Sequence, residues 1–500
     1  MNRFPLNSAV ALAVSTVLGT GAAHAITAPN PPQFVIYAGG GSAEPQAVQA
    51  AACQLFTAGT SGIGGTGVDS FSSGNGDFLA LYGTTAADIK QQGTSTVEIP
   101  AGSSLLLIYS YKGGSYANGA VPQQNVTPLK TLTYPTINSI LGAPVQAVAN
   151  NLVGTACLSS ANNGGATYTY TEALSNPQTP SFGLTDVEVS AFAGINNPSP
   201  PSLVTVGAAA PSYDLVFGWA ATTALYAKKT NFTTAEIRGI LTGVNTDWNA
   251  ILADSGAPVA VAGTGIPLID RNVGSGTKTS GTSLYLGYPQ LGAIAALPNS
   301  VSGLGPTPFN GPLVAGQFVQ AAADVIDSSA TAVAQDLTNL QGAGVLAIGR
   351  LSADNAPYLH QCGAGVNCYN FVKINGVGVD SGAANDNING AVQTSYINVV
   401  QGNYPDFFQV SFNTHGTIAN ATPGDAFAAA FQTILTNGSI IGCIQNAKFP
   451  LAAPGLVLDG DIPGLAYGKG VTIVSRKENS DGPLQLVKTT ETYAGCTDPL

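Results

Sequence analysis

Short apolar runs, each followed by a turn or a stretch of helical spacing, recur along the chain. Clear examples are Phe34–Tyr37, Leu105–Tyr109, Leu215–Trp219 and Ile266–Asp270. Runs of this length between turn signals are typical of buried strands. Because strands that alternate with helices build layered sheets, the pattern predicts an α/β protein with a mixed or parallel sheet.

Helical signals are clearest in the second half of the chain. The stretch Thr233–Leu241 begins with a capping box, since Glu236 lies three residues after the first threonine, and Gly243 follows as a stop signal. The segment Gly424–Leu435 is also predicted to be helical, and Pro312–Leu340 shows long helical periodicity.

Polar segments rich in glycine separate these elements, and 57–77 and 158–181 are predicted to be loops. Three predicted strands also end in glycine-rich turns that carry Ser or Thr, at Ala38–Ser42, Lys112–Ser115 and Arg271–Thr277. Ligands of open α/β sheets bind beyond the carboxyl ends of the strands. The three turns are therefore expected to converge on one cleft.

The last of these turns has the composition of an anion site. Gly274 and Gly276 allow the backbone to turn sharply and to approach a ligand closely. The helix that follows offers N–H groups without intrahelical partners and the positive end of its dipole. Ser275 and Thr277 add hydroxyl donors, and Arg271 adds a planar fork of donors that suits a tetrahedral oxyanion. The alternative is a strand–turn–helix with an incidental arginine.

The composition and net charge argue against a nucleic-acid-binding protein but allow a protein that binds a small anion. The chain has 500 residues, enough for two or three domains, with 45% apolar and only 9% charged residues. The net charge of −11 argues against nucleic acid as a partner, because no basic patch is available to release phosphate counterions. A small anion is not excluded, since local donors and helix ends hold it rather than net charge.

The first 25 residues are predicted to be a cleaved signal peptide. They contain Arg3, a short apolar core at Ala9–Leu18 and the small-x-small site Ala23–Ala25. The mature protein is therefore expected in the periplasm or outside the cell. The apolar core is too short to span a bilayer, and no later run of about 20 apolar residues follows.

An even number of cysteines in an exported chain predicts three disulfides. The six are Cys53, Cys157, Cys362, Cys368, Cys443 and Cys496. Joining Cys362 to Cys368 would close a small loop, although six cysteines allow 15 connectivities. No metal site is expected, because only His360 and His415 remain after cleavage and the spacing of 380–390 does not fit a calcium-binding loop.

Several segments together resemble the periplasmic phosphate-binding proteins of the high-affinity phosphate ABC transporter. In the order of that family they are Ala38–Pro45, Gly113–Ser115, Phe182–Asp186, Phe232–Asn249, Arg271–Thr277, Gly344–Gly349 and Gly402–Pro405. The fourth and fifth are the most specific. The longer loops, the cysteines and the extension past residue 410 depart from the family.

The resemblance implies a two-lobed type II periplasmic-binding fold with the ligand between the lobes. One lobe would comprise 33–212 together with 345–500, and the other 213–344. The function implied is capture of inorganic phosphate, or of arsenate in its place, for an ABC permease. The protein would be a monomer without a cofactor.

The resemblance also implies the ligand-binding residues. They are Gly41, Ser42, Ser115, Asp186, Arg271, Ser275, Gly276 and Thr277. Gly41 stands where the family has threonine, so Ser42 is expected to supply the hydroxyl. Asp186 would accept a proton from phosphate, whereas fully ionised sulfate has no proton to give. The alternative for Asp186 alone is a surface turn or a helix cap.

An enzyme is not expected, because neither His360 nor His415 lies near a Gly-x-Ser-x-Gly elbow and no Gly-x-x-x-x-Gly-Lys phosphate loop is present. A secreted phosphate-binding or structural protein that is not coupled to transport remains the alternative.

Overall fold

The computed structural model describes the chain in sixteen segments. These are residues 31–57, 68–123, 131–142, 144–146, 167–187, 192, 211–271, 274–286, 325–327, 329–352, 369–378, 404–414, 422–435, 456–457, 472–476 and 484–488. The predicted signal peptide, five of the six cysteines, both mature histidines and the segment 380–390 lie outside them.

Most of the elements in the described segments are strands. They are β1 (Phe34–Gly39), β2 (Asp69–Ser73), β3 (Phe78–Thr84), β4 (Ile89–Lys90), β5 (Val97–Ile99), β6 (Ser104–Ser110), β7 (Leu132–Pro135), β8 (Val145–Gln146), β9 (Thr167–Tyr170), β10 (Leu174–Gln178), β11 (Phe182–Thr185), β12 (Pro211–Thr222), β13 (Asn231–Phe232), β14 (Leu268–Arg271), β15 (Val325–Asp327), β16 (Ile348–Ser352), β17 (Tyr369–Phe371), β18 (Lys373–Ile374), β19 (Phe407–Thr414), β20 (Leu456–Val457), β21 (Thr472–Arg476) and β22 (Leu484–Lys488).

The α-helices are fewer and mostly short. They are α1 (Pro45–Ala52), α2 (Ser115–Asn118), α3 (Ile137–Leu141), α4 (Thr223–Tyr226), α5 (Thr234–Leu241), α6 (Gly276–Leu286), α7 (Ala330–Gly342) and α8 (Pro423–Leu435). Single 3-10 turns occur at Cys53–Leu55, Val121–Gln123 and Trp248–Ala250. None of the helices in the described segments is long and apolar enough to cross a membrane.

One mixed sheet runs through the molecule in the order β15-β14-β16-β12-β19-β11-β1-β6-β3-β2-β9-β8, with β17 and β20 also paired to β12. Strand β1 lies parallel to both β6 and β11, and β14 lies parallel to β15 and β16. The central strand β12 is antiparallel to β16 and to β19. The predicted α/β class with a mixed sheet is confirmed.

Two large apolar cores lie along this sheet. The first contains residues of β1, β3, β6 and β11 together with aromatic side chains of α8, such as Phe427 and Phe431. The second contains Trp219 and Trp248, with apolar residues of α5 and α7. Strand β12 joins both, since its Leu215 belongs to the first core and Trp219 to the second. Strand β12 therefore contributes to both of the larger cores, and a third, smaller cluster contains Phe71, Phe78 and Tyr134.

The second core also contains residues beyond 344, the predicted end of the second lobe. Ala347, Ile348, Tyr369, Ile374 and Phe407 all pack in it. The cause is strand pairing, because β16 and β17 both pair with β12 and carry their apolar side chains into the core that β12 shares with them. That pairing is long-range and leaves no local signal in the sequence.

Helix α5 confirms the capping-box prediction. The Glu236 amide donates to the Thr233 hydroxyl at 3.1 Å, and the Thr233 amide donates to the Glu236 carboxylate at 2.8 Å. Gly243 follows with a φ of 70°, a conformation in which glycine is favoured. The predicted helices at α6 and α8 are also present.

Three local predictions were wrong in part. The stretch 57–77 contains strand β2, and 158–181 contains β9 and β10. Strand β2 is polar in sequence, but β3 and β9 pair with it on either side, and tertiary pairing overrides weak local propensity. The helical periodicity assigned to 312–340 is interrupted by strand β15, and helix α7 begins only at Ala330.

Of the cysteines, only Cys53 lies in the described part of the chain. It is fully buried in the first core and is not a free thiol. The connectivity of the cysteines stays a prediction.

Helix α7 carries a buried carboxyl that makes stability depend on pH. Asp336 is only 5% exposed. Burial raises its pKa from 3.8 to about 6, against the opposing effect of a hydrogen bond with Asn339. The raised pKa means that the folded protein binds the proton of Asp336 more tightly than the unfolded chain does. The protonated carboxyl therefore contributes its full stabilisation of the folded state below about pH 4, and this contribution is lost as the pH rises through about 6.

We therefore expect Asp336→Asn to raise the free energy of unfolding at pH 7 by about 1 kcal/mol relative to the wild type. The difference should shrink towards zero near pH 4, where the wild-type carboxyl is neutral. Urea unfolding at the two pH values measures it, and the exposed Asp88→Asn is the control. An equal effect at both pH values would contradict the assignment.

Candidate functional site

The glycine-rich turn after β1 lies against the neighbouring strand β6. The Gly40 amide donates to the Ser110 carbonyl at 2.9 Å. A Cβ atom on Gly40 would lie 1.7 Å from the Tyr109 hydroxyl, so only glycine fits there without displacing the tyrosine. The close approach places the next residues, Gly41 and Ser42, beyond the carboxyl end of the strand.

Gly41 is surrounded by oxygen atoms. A Cβ built on it would lie 2.3 Å from Asp186 Oδ1, 2.3 Å from Ser115 Oγ and 2.7 Å from Glu44 Oε2. Gly41 is itself buried. The absent side chain thus leaves the backbone in direct contact with three polar groups, which a threonine at this position would push away.

Ser115 and Asp186 come from different loops and bond to each other. Ser115 starts α2 directly after Gly114, whose φ of 91° is a conformation open to glycine, and Asp186 follows β11. The Ser115 hydroxyl donates to Asp186 Oδ1 at 2.7 Å. Both side chains are buried, at 1% and 2% exposure, so the surface-turn alternative for Asp186 is excluded.

Arg271 ends β14 and bridges the two sides of the site. It is 2% exposed. Its guanidinium donates to Thr277 Oγ1 on α6 and to Ser42 Oγ after β1, each at 3.4 Å. Both contacts are long for hydrogen bonds, and they place the guanidinium between the two turns.

The amino end of α6 lies against Asp186. A Cβ on Gly276 would lie 2.3 Å from the Cβ of Asp186 and 2.6 Å from its Oδ2, so the carboxylate sits beside the first turn of the helix. That end of a helix carries partial positive charge and offers N–H groups. Ser275 is 1% exposed and adjoins Gly114, and the Tyr116 amide donates to the Gly274 carbonyl at 3.0 Å.

The structure therefore brings all of the predicted ligand-binding residues into one buried cluster. Gly41, Ser42, Ser115 and Asp186 approach from the side of the first core, and Arg271 with the start of α6 approaches from the side of the second. Their arrangement offers several donors and one carboxylate to a small ligand. Whether each residue binds a ligand stays a prediction.

Sequence reasoning missed three charged residues at or beside this cluster. Glu44 is fully buried against Gly41. Lys278 and Asp270 form an ion pair at 2.5 Å with little exposure, and Asp270 Oδ1 also accepts the Arg271 amide at 2.7 Å. Each is within three residues of a motif position, which was the only sequence signal available. In the described segments, no group of three or more His, Cys, Asp or Glu residues could hold a metal ion.

A buried ion pair contacts the first turns of α6. The Arg350 guanidinium pairs with the Asp406 carboxylate, donates to the Thr277 carbonyl and donates to Ser280 Oγ at 2.8 Å. The Tyr285 hydroxyl donates to the same carboxylate at 3.1 Å. Burial alone would lower the pKa of Arg350, but the Asp406 charge outweighs it and holds the pKa above the usual value. The pair thus ties β16 and the start of β19 to the helix.

Comparison with known proteins gives similarity in structure only. No family model matches the sequence, and no curated protein matches it. A candidate phosphate ABC transporter substrate-binding protein of Clostridium perfringens, solved with bound phosphate, has a TM-score of 0.35 at 12% identity, over 85% of this chain and 99% of that one.

Two further solved structures are similar at the same low level. An ABC-type phosphate transport receptor of Vibrio cholerae has a TM-score of 0.29 at 12% identity, over 56% of this chain and 80% of that one. A phosphate-binding protein of Stenotrophomonas maltophilia has a TM-score of 0.25 at 16% identity, over 47% and 64%. The chain is thus similar to solved phosphate-binding and phosphate-transport proteins, at a level from which no ligand or role is inferred.

Proposed function

We propose that this chain is an exported solute-binding protein that captures inorganic phosphate between its two lobes. The observation that carries the proposal is one buried chain of contacts. Ser115 and the start of α6 adjoin the carboxylate of Asp186, and Arg271 connects Thr277 of that helix to Ser42 after β1. Donors alone would suit any oxyanion. The buried acceptor among them favours an oxyanion that carries a proton.

The chemistry assigned to each group follows from its type. The Arg271 guanidinium supplies charge and a planar pair of donors for oxyanion oxygens. The hydroxyl of Thr277 and the amides of Ser275 and Gly276 add neutral donors at a helix end. Asp186 accepts the hydrogen bond of a P–OH group, and its own bond from Ser115 fixes its orientation.

The two lobes are proposed to be joined by the paired strands β12 and β19. The apolar cores support a first lobe of 33–212 with the residues after 407, and a second lobe of 213–407, in place of the boundary at 345. Because the site takes residues from both sides, hinge bending of these strands would open and close it.

The proposal has three further parts. The protein delivers phosphate to an ABC permease, it resides in the periplasm or outside the cell, and it is a monomer without enzymatic activity. The alternative is a secreted phosphate-binding protein without a permease. Both share the same pocket, so ligand binding cannot separate them. Stimulation of the ATPase of a co-encoded phosphate permease by the phosphate-loaded protein would separate them.

Calorimetry of the purified protein with phosphate, arsenate and sulfate tests the binding function. Arsenate shares the protonation state of phosphate near neutral pH, so both should bind. Sulfate has no proton for Asp186, and its oxygen would face a buried carboxylate with an unmade hydrogen bond. Absence of phosphate binding would refute the proposal.

We expect Asp186→Asn to relax the rejection of sulfate. The amide keeps the shape of the side chain, removes its charge and adds donors, so the penalty of about 1–3 kcal/mol against a fully ionised oxyanion should fall. Competition between sulfate and phosphate at neutral pH measures the change. The exposed Asp88→Asn, a matched substitution, should leave selectivity unaltered. Equal affinity of the wild type for both anions would contradict the role of Asp186.

A further inference from the structure

Glu44 is a buried carboxylate that does not cap the helix that follows it. It occupies the cap position immediately before Pro45 at the start of α1, yet its side chain makes no capping hydrogen bond to that helix. It is fully buried. Its side chain turns instead towards the glycine-rich turn after β1, where Glu44 Oε2 lies 2.7 Å from the Cβ position of Gly41.

That position brings it close to Asp186. Asp186 Oδ1 lies 2.3 Å from the same point, so the two carboxylate oxygens are no more than 5.0 Å apart, the sum of the two distances. The Tyr109 hydroxyl lies 3.5 Å from Glu44 Oε2 and donates to the Gly41 carbonyl at 3.3 Å. Two carboxylates therefore adjoin the backbone of one glycine in the cluster.

The charged and titratable groups around Glu44 determine which protonation form of an anion the site can bind. Asp186 faces it from the end of β11 and Tyr109 from β6, and Arg271 of β14 donates to Ser42, two residues before Glu44. Like charges this close, and away from water, cannot remain ionised together beside an added dianion without a large electrostatic cost. A bound anion relieves that cost if it brings a proton for each carboxylate.

We propose, resting on the proposed phosphate site, that Glu44 is a second proton acceptor and that the protein binds phosphate with two protons in the complex. Asp186 accepts the hydrogen bond of one P–OH group and Glu44 that of the other. The two remaining phosphate oxygens take the donors of Arg271 and of the start of α6. The residue thus makes the site select the monobasic form of phosphate.

The consequence is a dependence of affinity on pH. Below the second ionisation of phosphate, near neutral pH, the bound form predominates in solution and the affinity is constant. Above it, the monobasic fraction falls, so the apparent Kd rises about tenfold per pH unit.

Calorimetric titration with inorganic phosphate from about pH 6 to about pH 9 tests the proposal. The wild type should show the tenfold slope above neutral pH. Glu44→Gln keeps the shape and offers donors to a dibasic oxygen, so its Kd should become nearly independent of pH over the same range. Glu98→Gln, a matched change in the partly exposed Glu98 of β5, should follow the wild type.

A second measurement needs no variant. Titration of the wild type near pH 8 in two buffers of different ionisation enthalpy should show uptake of about one proton per phosphate bound. A flat wild-type profile without proton uptake, or parallel profiles for the wild type and Glu44→Gln, would overturn the role of Glu44 while leaving phosphate binding intact. Failure of the wild type to bind phosphate at any pH would instead refute the proposed function.

Discussion

Replacing Arg271 by alanine should weaken phosphate binding by about 2 kcal/mol or more, roughly thirtyfold, because hydrogen bonds to charged groups are each worth about 1.5–3 kcal/mol. The side chain is 2% exposed and bridges the turn after β1 and helix α6. Its loss removes the arginine charge from a site that holds two buried carboxylates. Calorimetry with phosphate at neutral pH measures the change.

A control separates the loss of ligand binding from general damage. Arg238 is exposed on α5, so Arg238→Ala removes the same charge away from the cluster and should bind phosphate normally. Arg271→Lys keeps the charge but not the planar fork, so it should fall between the wild type and the alanine variant. Undiminished affinity of a folded Arg271→Ala protein would rule out the proposed pocket.

The largest effect on stability is expected from breaking the Arg350–Asp406 pair. Asp406→Ala leaves the Arg350 guanidinium buried without its carboxylate, which typically costs about 3–5 kcal/mol. Arg350 is only 5% exposed and Asp406 only 1%, so water cannot replace the lost partner. The free energy of unfolding, measured in urea with the wild type alongside, reports the loss.

Two comparisons make that result specific. The pair between Lys112 and Asp77 is solvent-exposed, with side chains 50% and 30% accessible, so Lys112→Ala should cost no more than about 1 kcal/mol. Replacing both partners of the buried pair, as Arg350→Met with Asp406→Leu, should recover much of the loss. A cost for Asp406→Ala no larger than that for Lys112→Ala would show that the buried pair is not needed for stability.

The ion pair also illustrates what a sequence conceals. Arg350 and Asp406 are 56 residues apart, and neither lies in a recognisable motif. A charged residue inside or next to an apolar strand is equally compatible with an edge, a surface or a buried pair. Only the pairing of β12 with both β16 and β19 brings the two side chains together.

Local patterns were sufficient where the interaction itself is local. The capping box at Thr233 and Glu236 spans three residues and forms as expected. The turn from Arg271 to Thr277 carries its own glycines, donors and helix start, and both Arg271 and Thr277 lie in the cluster. The apolar runs at β1, β6 and β12 identified the strands at the centre of the sheet.

The sequence by itself thus determined the α/β class, the central strands, the capped helix α5 and the glycine, hydroxyl and arginine composition of the turn before α6, because each depends on neighbours a few residues apart. The tertiary structure alone decided that polar β2 is a strand, that the second core extends past Ala347, and that Glu44 lies within reach of Asp186. Those features depend on contacts between distant segments. Whether a charged residue is buried depends on the segments that pack around it. Its neighbours in the sequence do not show which segments those are.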